Sequence, residues 1–303
     1  MTGAVENATP SSRSLGLILG LIAVILLSGS LPANRAAVAD LSPWFVVAGR
    51  ATIGGLVAIG ILAIRRPAFP KGHGGRIVLI ALCLVVAFPL GLAVASVTVP
   101  ASHGAVVLGL LPLATAIAAV PLAGDRPSLG FWALCIIGAL LVAVFALRGG
   151  GADIVTGDIY LAIAIAVCGV GFTLSGVLAR TVPGWEVIAW PLVFVFPFAA
   201  TAAFLLWPAD FEAVGLGSWL GLLYAGIVVQ FIAYAFLNAA MALGGVARIG
   251  QLQVLQPLFT ILIAATVLGE VIDLETVLFA VAVVIVVALG RRATIREHIP
   301  TTG

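Results

Sequence analysis

The chain has 303 residues, of which 63% are hydrophobic and 9% are charged, and its formal net charge is +2. Soluble domains typically carry about 25% charged residues, so this composition excludes a soluble fold and makes a lipid bilayer the solvent of the protein. The basic residues are scattered between apolar segments, which excludes the basic patch that a nucleic-acid partner requires.

Ten apolar segments follow one another, and each is close to the roughly 20 residues that a membrane-spanning helix needs. The segments are 15–31, 43–64, 77–96, 102–123, 129–147, 157–179, 187–207, 218–241, 247–268 and 274–290. The connections are too short for a soluble domain, so the sequence predicts an all-α integral membrane protein with ten transmembrane helices. The polar segments 1–14 and 291–303 are predicted to be cytoplasmic tails, the first of them disordered.

Two stretches match each other at an offset of 145 positions, LLPLATAIAAVPLAGD around Pro112 and LQPLFTILIAATVLGE around Pro257. The matched pairs include Leu113 with Leu258, Thr115 with Thr260, Ala119 with Ala264, Gly124 with Gly269, Ser30 with Ser175, Arg35 with Arg180 and Gly72 with Gly217. The chain therefore divides into two homologous repeats, 15–148 and 149–290. Each repeat has five spans, an odd number, so the two cross the membrane in opposite senses. Such inverted repeats are common in secondary transporters.

The start and the orientation of the chain follow from its basic residues. Arg13 and the short apolar run after it also fit a cleaved secretory signal, but the match of the first span to the sixth argues against one.

If the N-terminus is cytoplasmic, eleven of the 14 lysines and arginines lie inside, Arg35 and Arg148 lie outside, and Arg50 lies within a span. This bias predicts that both termini are cytoplasmic.

The two matched stretches carry a resemblance to a known family. Each has small residues, a proline and an apolar stretch that ends in Gly-Asp or Gly-Glu, in HGAVVLGLLPLATAIAAVPLAGDRPS and RIGQLQVLQPLFTILIAATVLGEVID. This pattern resembles the drug/metabolite transporter (DMT) superfamily, and its ten-helix EamA-type branch fits best. Asp125 stands where the family more often has Glu. The resemblance covers roughly 15–290.

The resemblance implies a secondary transporter in the bacterial inner (plasma) membrane, with a small organic solute such as an amino acid as its partner. Family members export amino acids and other metabolites, and YddG-type exporters of aromatic amino acids are one branch to which this chain can belong. The oligomeric state, monomer or homodimer, stays open. No metal-ligand spacing links Cys83, Cys135 and Cys168, and there is no Walker motif, so we expect no metal, cofactor or ATP.

Polar side chains within the eighth and ninth spans are candidates for substrate binding. Gln230, Tyr234 and Asn238 lie at i, i+4 and i+8, on one helical face. Lipid cannot satisfy amides, so this face is predicted to line a cavity or to bond another helix.

In the ninth span, Gln253, Gln256 and Thr260 also share a face. Pro257 lacks an N–H and is predicted to free the carbonyl one turn earlier, which suits a zwitterionic or hydroxyl-bearing solute. The alternative for Pro257 is a plain kink.

Four residues besides Pro257 interrupt apolar segments. Arg50 lies about 10 Å into the second span at 1.5 Å per residue, where it can hold a substrate carboxylate, reach outward or bond backbone carbonyls. His103 opens the fourth span, as a proton sensor or as a solvated residue. Pro89, Pro112 and Pro257 are predicted helix breaks or hinges.

No Asp or Glu is evident at mid-membrane depth, which argues against cationic drugs and favours neutral or zwitterionic solutes. It also predicts that transport runs down the solute gradient without a strict requirement for protons. Two alternatives stay open, a non-transporting membrane receptor or assembly factor and an intramembrane enzyme. The enzyme is disfavoured because no nucleophile–base pair is evident.

The inverted topology predicts that Gly72 and Gly217, which are matched positions, lie on opposite sides of the membrane. A membrane-impermeant maleimide added to intact cells should label Gly217→Cys, and Gly72→Cys should react only after the membrane is permeabilised. Labelling of both positions from one side contradicts the inverted repeat.

Overall fold

The computed structural model describes residues 10–123, 126–148, 152–244, 249, 252–292 and 295–296. The helices of the first repeat are α1 (Pro10–Ser28), α2 (Ser30–Ala37), α3 (Pro43–Arg65), α4 (Gly74–Ile80), α5 (Phe88–Ala95), α6 (Ala101–Leu108), α7 (Leu111–Ala123) and α8 (Leu129–Arg148). Those of the second repeat are α9 (Ala152–Leu178), α10 (Gly184–Leu205), α11 (Leu216–Leu223), α12 (Tyr234–Gly244), α13 (Gln256–Val267) and α14 (Leu274–Arg292).

Three irregular segments and two short strands complete the described part of the chain. A first π-helical segment, Ala81–Ala87, joins α4 to α5, and a second, Tyr224–Ala233, joins α11 to α12. A 3₁₀ turn, Gln253–Leu255, precedes α13. Strands β1 (Arg126–Pro127) and β2 (Ile295–Arg296) pair antiparallel.

The helices account for the predicted spans. Eight helical segments among the described residues are long and apolar enough to cross a bilayer, judged by length and composition. Two shorter apolar helices, Gln253–Val267 and Leu274–Leu289, lie at the predicted ninth and tenth spans. The all-α membrane fold is therefore confirmed. The two predicted tails are more ordered than expected. Helix α1 begins at Pro10, inside the predicted N-terminal tail, and strand β2 lies inside the predicted C-terminal tail.

Local sequence explains where α3 begins. The hydroxyl of Ser42 accepts a hydrogen bond from the Phe45 N–H at 3.2 Å, which satisfies one of the unpaired donors at the helix start. Pro43 occupies the first helical position, where its missing N–H costs nothing. This start fixes the depth of Arg50 two turns further on.

The contacts between helices follow a two-fold relation between the repeats. The first span packs on the eighth (α1 on α12), and its mate, the sixth, packs on the third (α9 on α5). In the same way α7 packs on α9 and α13 packs on α1. The matched spans α3 and α10 pack on each other, as do α8 and α14. The repeats are therefore interleaved, and each buries much of its apolar surface against the other.

Contacts between connections identify the two ends of the bundle. At one end Asp40 contacts Ser218, Glu270 contacts Ser102, and Arg148 contacts Glu275. At the other end β1 pairs with β2, and Phe69 meets Trp190 edge to face at 5.1 Å. We call these the cap end and the strand end. The grouping matches the alternation of ten predicted spans, with the cap end predicted to be outside.

Two helices at the cap end are capped by carboxylates from the opposite repeat. Glu270 accepts hydrogen bonds from the N–H groups of Ala101 and Ser102, at 2.8 and 2.9 Å, and from the Ser102 hydroxyl at 2.6 Å. Asp40 accepts from the Gly215 N–H and the Ser218 hydroxyl at the start of α11. The Ser218 hydroxyl and the Gly215 N–H lower the pKa of Asp40. Each carboxylate satisfies orphan helix donors and faces the positive end of the helix dipole.

The close contact of α2 with α11 requires a glycine. A Cβ on Gly221 would lie 2.5 Å from the Ala33 carbonyl oxygen and 3.0 Å from the Ala37 nitrogen, both of which are backbone atoms. Gly217, one turn earlier on the same helix, has nothing within 4 Å of its Cβ position. Gly221→Val is therefore expected to lower the melting temperature in detergent strongly, because the helices must separate. Gly217→Val is the matched control and should cost far less; equal losses contradict the packing.

The Glu270 cap should stabilise the fold more than the exposed ion pair beside it. Glu270→Ala leaves two backbone donors of α6 unpaired and is expected to cost about 1–2 kcal/mol of unfolding free energy. Glu275→Ala removes a pair whose side chains are 66% and 48% exposed, so it should cost less than about 1 kcal/mol. Reversible unfolding in mixed micelles measures both, and a larger loss for Glu275→Ala argues against the cap.

Candidate functional site

Broken helices of both repeats meet inside the bundle. The fourth span is interrupted at Gly109 and Leu110, and α7 resumes with Pro112 in its first turn. The ninth span has its 3₁₀ turn at the matched place, and Pro257 follows in the first turn of α13. A Cβ on Gly109 would lie 3.2 Å from Pro257 Cγ, so the two breaks are adjacent. Interrupted helices at a repeat interface are typical of substrate sites in transporters.

Arg50 is enclosed near this interface, with 1% of its surface exposed. Its Nε donates a hydrogen bond of 2.9 Å to Gln230 Oε1. Gln230, which is fully buried, in turn donates from Nε2 to the Leu84 carbonyl at 3.3 Å. These bonds link α3 to the third and eighth spans.

The hydrogen bond from Gln230 to Leu84 joins the two π-helical segments, which lie at matched positions of the two repeats. Leu84 lies in the first π-helical segment, and Gln230 lies in the second. Adding 145 to the first segment gives 226–232, which falls within the second. A π-helical turn shifts backbone pairing from i−4 to i−5, and such turns are frequent at functional sites. The shared irregularity lies where Arg50 contacts the second repeat.

The guanidinium of Arg50 has no carboxylate partner among the described residues. The ion pairs within 4.0 Å among the described residues are His103 with Asp158 and Arg148 with Glu275. Neither of them includes Arg50. Its Nη1 is 3.5 Å from Asn34 Oδ1, at the limit of a hydrogen bond. A buried cation is costly without an anion, and a guanidinium presents a planar fork of donors that fits a carboxylate. The site therefore has positive charge available for an anionic group.

A turn in the first span extends this site toward the ninth. Asn34 donates to the Ser30 carbonyl at 2.7 Å, just after the turn at Gly29. On the other side of the turn, the Ser28 hydroxyl is 3.3 Å from the Gln256 carbonyl, and Thr260 donates to the Ser28 carbonyl at 3.0 Å. We call Ser28, Ser30, Asn34, Arg50 and Gln230 the central polar path. It runs from the break in the ninth span to the π-helical segments.

Two buried polar atoms along this route have no partner in the described part of the chain. They are the Ser30 hydroxyl and Gln253 Nε2, on residues that are 5% and 8% exposed. Natural proteins leave few buried polar atoms unpaired, so these two atoms are candidate contacts for a polar solute. Ser30 and Asn34 were not among the predicted site residues, although polar residues in an apolar first span were a usable signal.

The predicted stripe of the eighth span does not act as one unit. Gln230 belongs to the central polar path, and Tyr234 is buried against Phe172 with ring centroids 5.7 Å apart. Asn238 donates to the Gly184 carbonyl at 3.1 Å, which binds α12 to the start of α10 at the strand end. Of the two predicted roles of the stripe, lining a cavity or bonding another helix, the structure shows the second for Asn238.

The effect predicted for Pro257 needs a correction. Pro257 cannot donate to the carbonyl of Gln253, but that carbonyl is not left free, because the N–H of Gln256 donates to it within the 3₁₀ turn. The tighter turn repairs the lost bond. Gln256 contributes its carbonyl to the contact with Ser28, and its side chain is half-buried. Pro89 lies in the first turn of α5, directly after the first π-helical segment. Asp125 lies outside the described residues.

His103 lies apart from the central polar path, and it is neither solvated nor alone. Its Nε2 is 3.0 Å from Oδ2 and 3.2 Å from Oδ1 of Asp158, and the residues are 6% and 8% exposed. The Phe145 ring stacks on the imidazole, with centroids 4.4 Å apart. This buried pair was not predicted: the sequence led us to expect no Asp or Glu at mid-membrane depth, and Asp158 lies instead near the start of the sixth predicted span. Asp158 lies at the edge of an apolar segment, where burial depends on neighbouring helices.

A cavity of about 410 Å³ lies at the cap end next to this pair. Its lining residues are Pro100, Ser102, His103, Phe145, Arg148, Glu270, Val271, Asp273, Glu275 and Thr276. Among them, the Thr276 hydroxyl and N–H lower the pKa of Asp273, and the charge of His103 contributes further. The lining holds more carboxylates than basic groups, so it attracts cations and protons.

Comparison with known proteins agrees with this architecture. The model of the EamA-like transporter family matches the chain twice, at residues 14–147 and 155–290, which confirms the two repeats. The chain is 40% identical over 278 residues to the uncharacterized transporter YdeK of Bacillus subtilis (strain 168), a match that covers 91% of this chain and 97% of that protein. A crystal structure of another protein is similar in fold, with a TM-score of 0.66 and 21% identity, over 92% of this chain and 99% of that one. The chain is a member of the EamA-like transporter family.

Proposed function

We propose that this membrane transporter is a secondary exporter of small neutral or zwitterionic organic solutes, with amino acids as the class that fits best. The observation that carries this proposal is Arg50, a buried cation without a carboxylate partner among the described residues, at the interface of two repeats. A solute carboxylate supplies the missing negative charge. The direction, export across the bacterial inner membrane, rests on the family resemblance.

The central polar path and the 3₁₀ turn of the ninth span offer complementary groups for the rest of such a solute. The Ser30 hydroxyl can accept a hydrogen bond from an ammonium group, and Gln253 Nε2 can donate to a carbonyl or hydroxyl. A solute that donates to the first atom and accepts from the second pairs two groups that have no partner among the described residues. A sugar or nucleoside lacks the carboxylate and leaves Arg50 uncompensated. This difference predicts selectivity for amino acids over uncharged solutes.

The proposed mechanism is alternating access around the central site. The interleaved repeats share this site, and the adjacent breaks at Gly109 and Pro257 provide joints about which the spans can move. The carboxylate caps of Glu270 and Asp40 connect opposite repeats at the cap end. Opening that end requires these contacts to separate.

Solute counterflow in proteoliposomes tests the proposal directly. A panel of amino acids, nucleosides and sugars is compared with and without a proton gradient, and amino acids are expected to exchange fastest. Arg50→Gln should reduce amino-acid counterflow by at least about thirtyfold, since truncating one partner of a buried charge pair costs 2 kcal/mol or more. The residual exchange of uncharged solutes, where present, should change much less.

Arg65→Gln is the matched control, because Arg65 lies on the same helix and is exposed. It should leave counterflow at the unmodified level. Equal counterflow in Arg50→Gln and the unmodified protein contradicts the role of Arg50. A protein that folds normally and exchanges no solute of the panel favours a non-transporting receptor or assembly factor instead.

A further inference from the structure

The His103–Asp158 contact connects the two repeats at the cap end. His103 lies on α6 of the first repeat, and Asp158 lies on α9 of the second. Their side chains are 8% and 9% exposed, and Phe145 covers one face of the imidazole. A hydrogen-bonded pair this deeply enclosed persists only while the two repeats stay together at this end. The contact is therefore coupled to closure of the cap end.

The neighbourhood of the pair is predominantly acidic. The other titratable groups near it among the described side chains are Glu270 and Asp273 in the connection before α14, Glu275 on α14 and Arg148 on α8. Glu270 is committed to the start of α6, and Arg148 is 3.4 Å from Glu275. On α2, Arg35 donates instead to the carbonyls of Ser96 and Val97. No neighbouring cation therefore replaces the charge of His103 opposite Asp158.

Protonation decides what this enclosed pair costs. When His103 is protonated to the imidazolium, it forms an ion pair with Asp158 that has no net charge and can remain buried. Without that proton, Asp158 is a buried anion without a counter-charge, and water is a better environment for it. The closed cap end therefore binds a proton more tightly than an open one in which water reaches Asp158. By linkage, protons favour closure, and a rise in pH favours opening.

We propose that His103 and Asp158 form a proton-binding site that must be loaded for the cap end of the transporter to close. The site is reached from the 410 Å³ cavity that His103 lines. This inference rests on the proposed transport cycle and adds a second ligand, a proton, at a place distinct from the central polar path. It also replaces the expectation of proton-independent transport, which assumed that no suitable carboxylate exists.

Cysteine accessibility tests the proposal without knowledge of the solute. Leu161 is fully buried, one turn after Asp158 on α9, and its Cδ1 is 3.5 Å from the Cβ position of Gly104. In a background with Cys83, Cys135 and Cys168 replaced by alanine, Leu161→Cys reports opening of the cap end. Val271→Cys, at an exposed cavity residue, supplies the pH dependence of the maleimide reaction itself. The readout is the ratio of the two labelling rates in lipid nanodiscs.

The ratio is expected to rise with pH, by up to about tenfold per pH unit when opening releases one proton. His103→Gln and Asp158→Asn should each abolish this rise, and His103→Gln keeps a side-chain donor for Asp158, which preserves the fold. Glu275→Gln is the control and should keep the rise, because it changes the cavity charge without touching the pair.

A ratio that does not change with pH, that falls with pH, or that still rises in both variants overturns the proposal. The outcome is separable from the proposed function. Normal counterflow with a pH-independent ratio rejects the proton site alone. A pH-dependent ratio in a protein that exchanges no solute rejects the transport assignment alone.

Discussion

The absence of water inside a bilayer is the constraint on which the structure depends. Backbone N–H and C=O groups that face lipid must find partners within the protein, and buried polar side chains need a protein group, a water or a ligand. The chain nevertheless interrupts its helices in both repeats, at Gly109, in the 3₁₀ turn before Pro257 and in two π-helical segments. At one of them the Gln230 amide donates to the Leu84 carbonyl. The interruptions in the described part of the chain lie where the two repeats contact each other, so the second repeat can supply polar partners there.

Interleaving of the repeats determines how such a protein can move. Since α1 packs on α12 and α5 packs on α9, neither repeat can swing as a separate lobe without exposing apolar surface of both. The described contacts by which we identified the cap end are polar. At the cap end they include two carboxylates that cap helices of the opposite repeat and the His103–Asp158 pair. Polar contacts of this kind can exchange for water at modest cost, whereas the packed helices between them move together.

Two charged sites with different tasks lie within this frame. Arg50 is enclosed, has no carboxylate partner among the described residues and belongs to a path that reaches the unpaired Ser30 hydroxyl. Its electrostatics favour an anionic group from outside the chain. His103 has its anion within the protein, so its electrostatics favour a proton rather than a solute. In the proposed cycle, the first site selects the cargo and the second senses whether the cap end is closed.

The sequence by itself determined the membrane setting and the two repeats, and it predicted ten spans with opposite senses of insertion, because hydrophobic length and a fixed offset are properties of the chain alone. It also identified Arg50 and Gln230 as unusual, since polar groups within apolar segments stand out. It could not show that Gln230 and Arg50 bond each other, or that Asn238 turns instead to the Gly184 carbonyl. It did not find Asp158, whose position at the edge of an apolar segment reads as an interfacial residue. Several of the side-chain partners at these sites come from the other repeat, more than a hundred positions away in such cases as Arg50 with Gln230. Only the packing of the two repeats therefore decides which polar residue is paired, which is left without a partner, and which is buried.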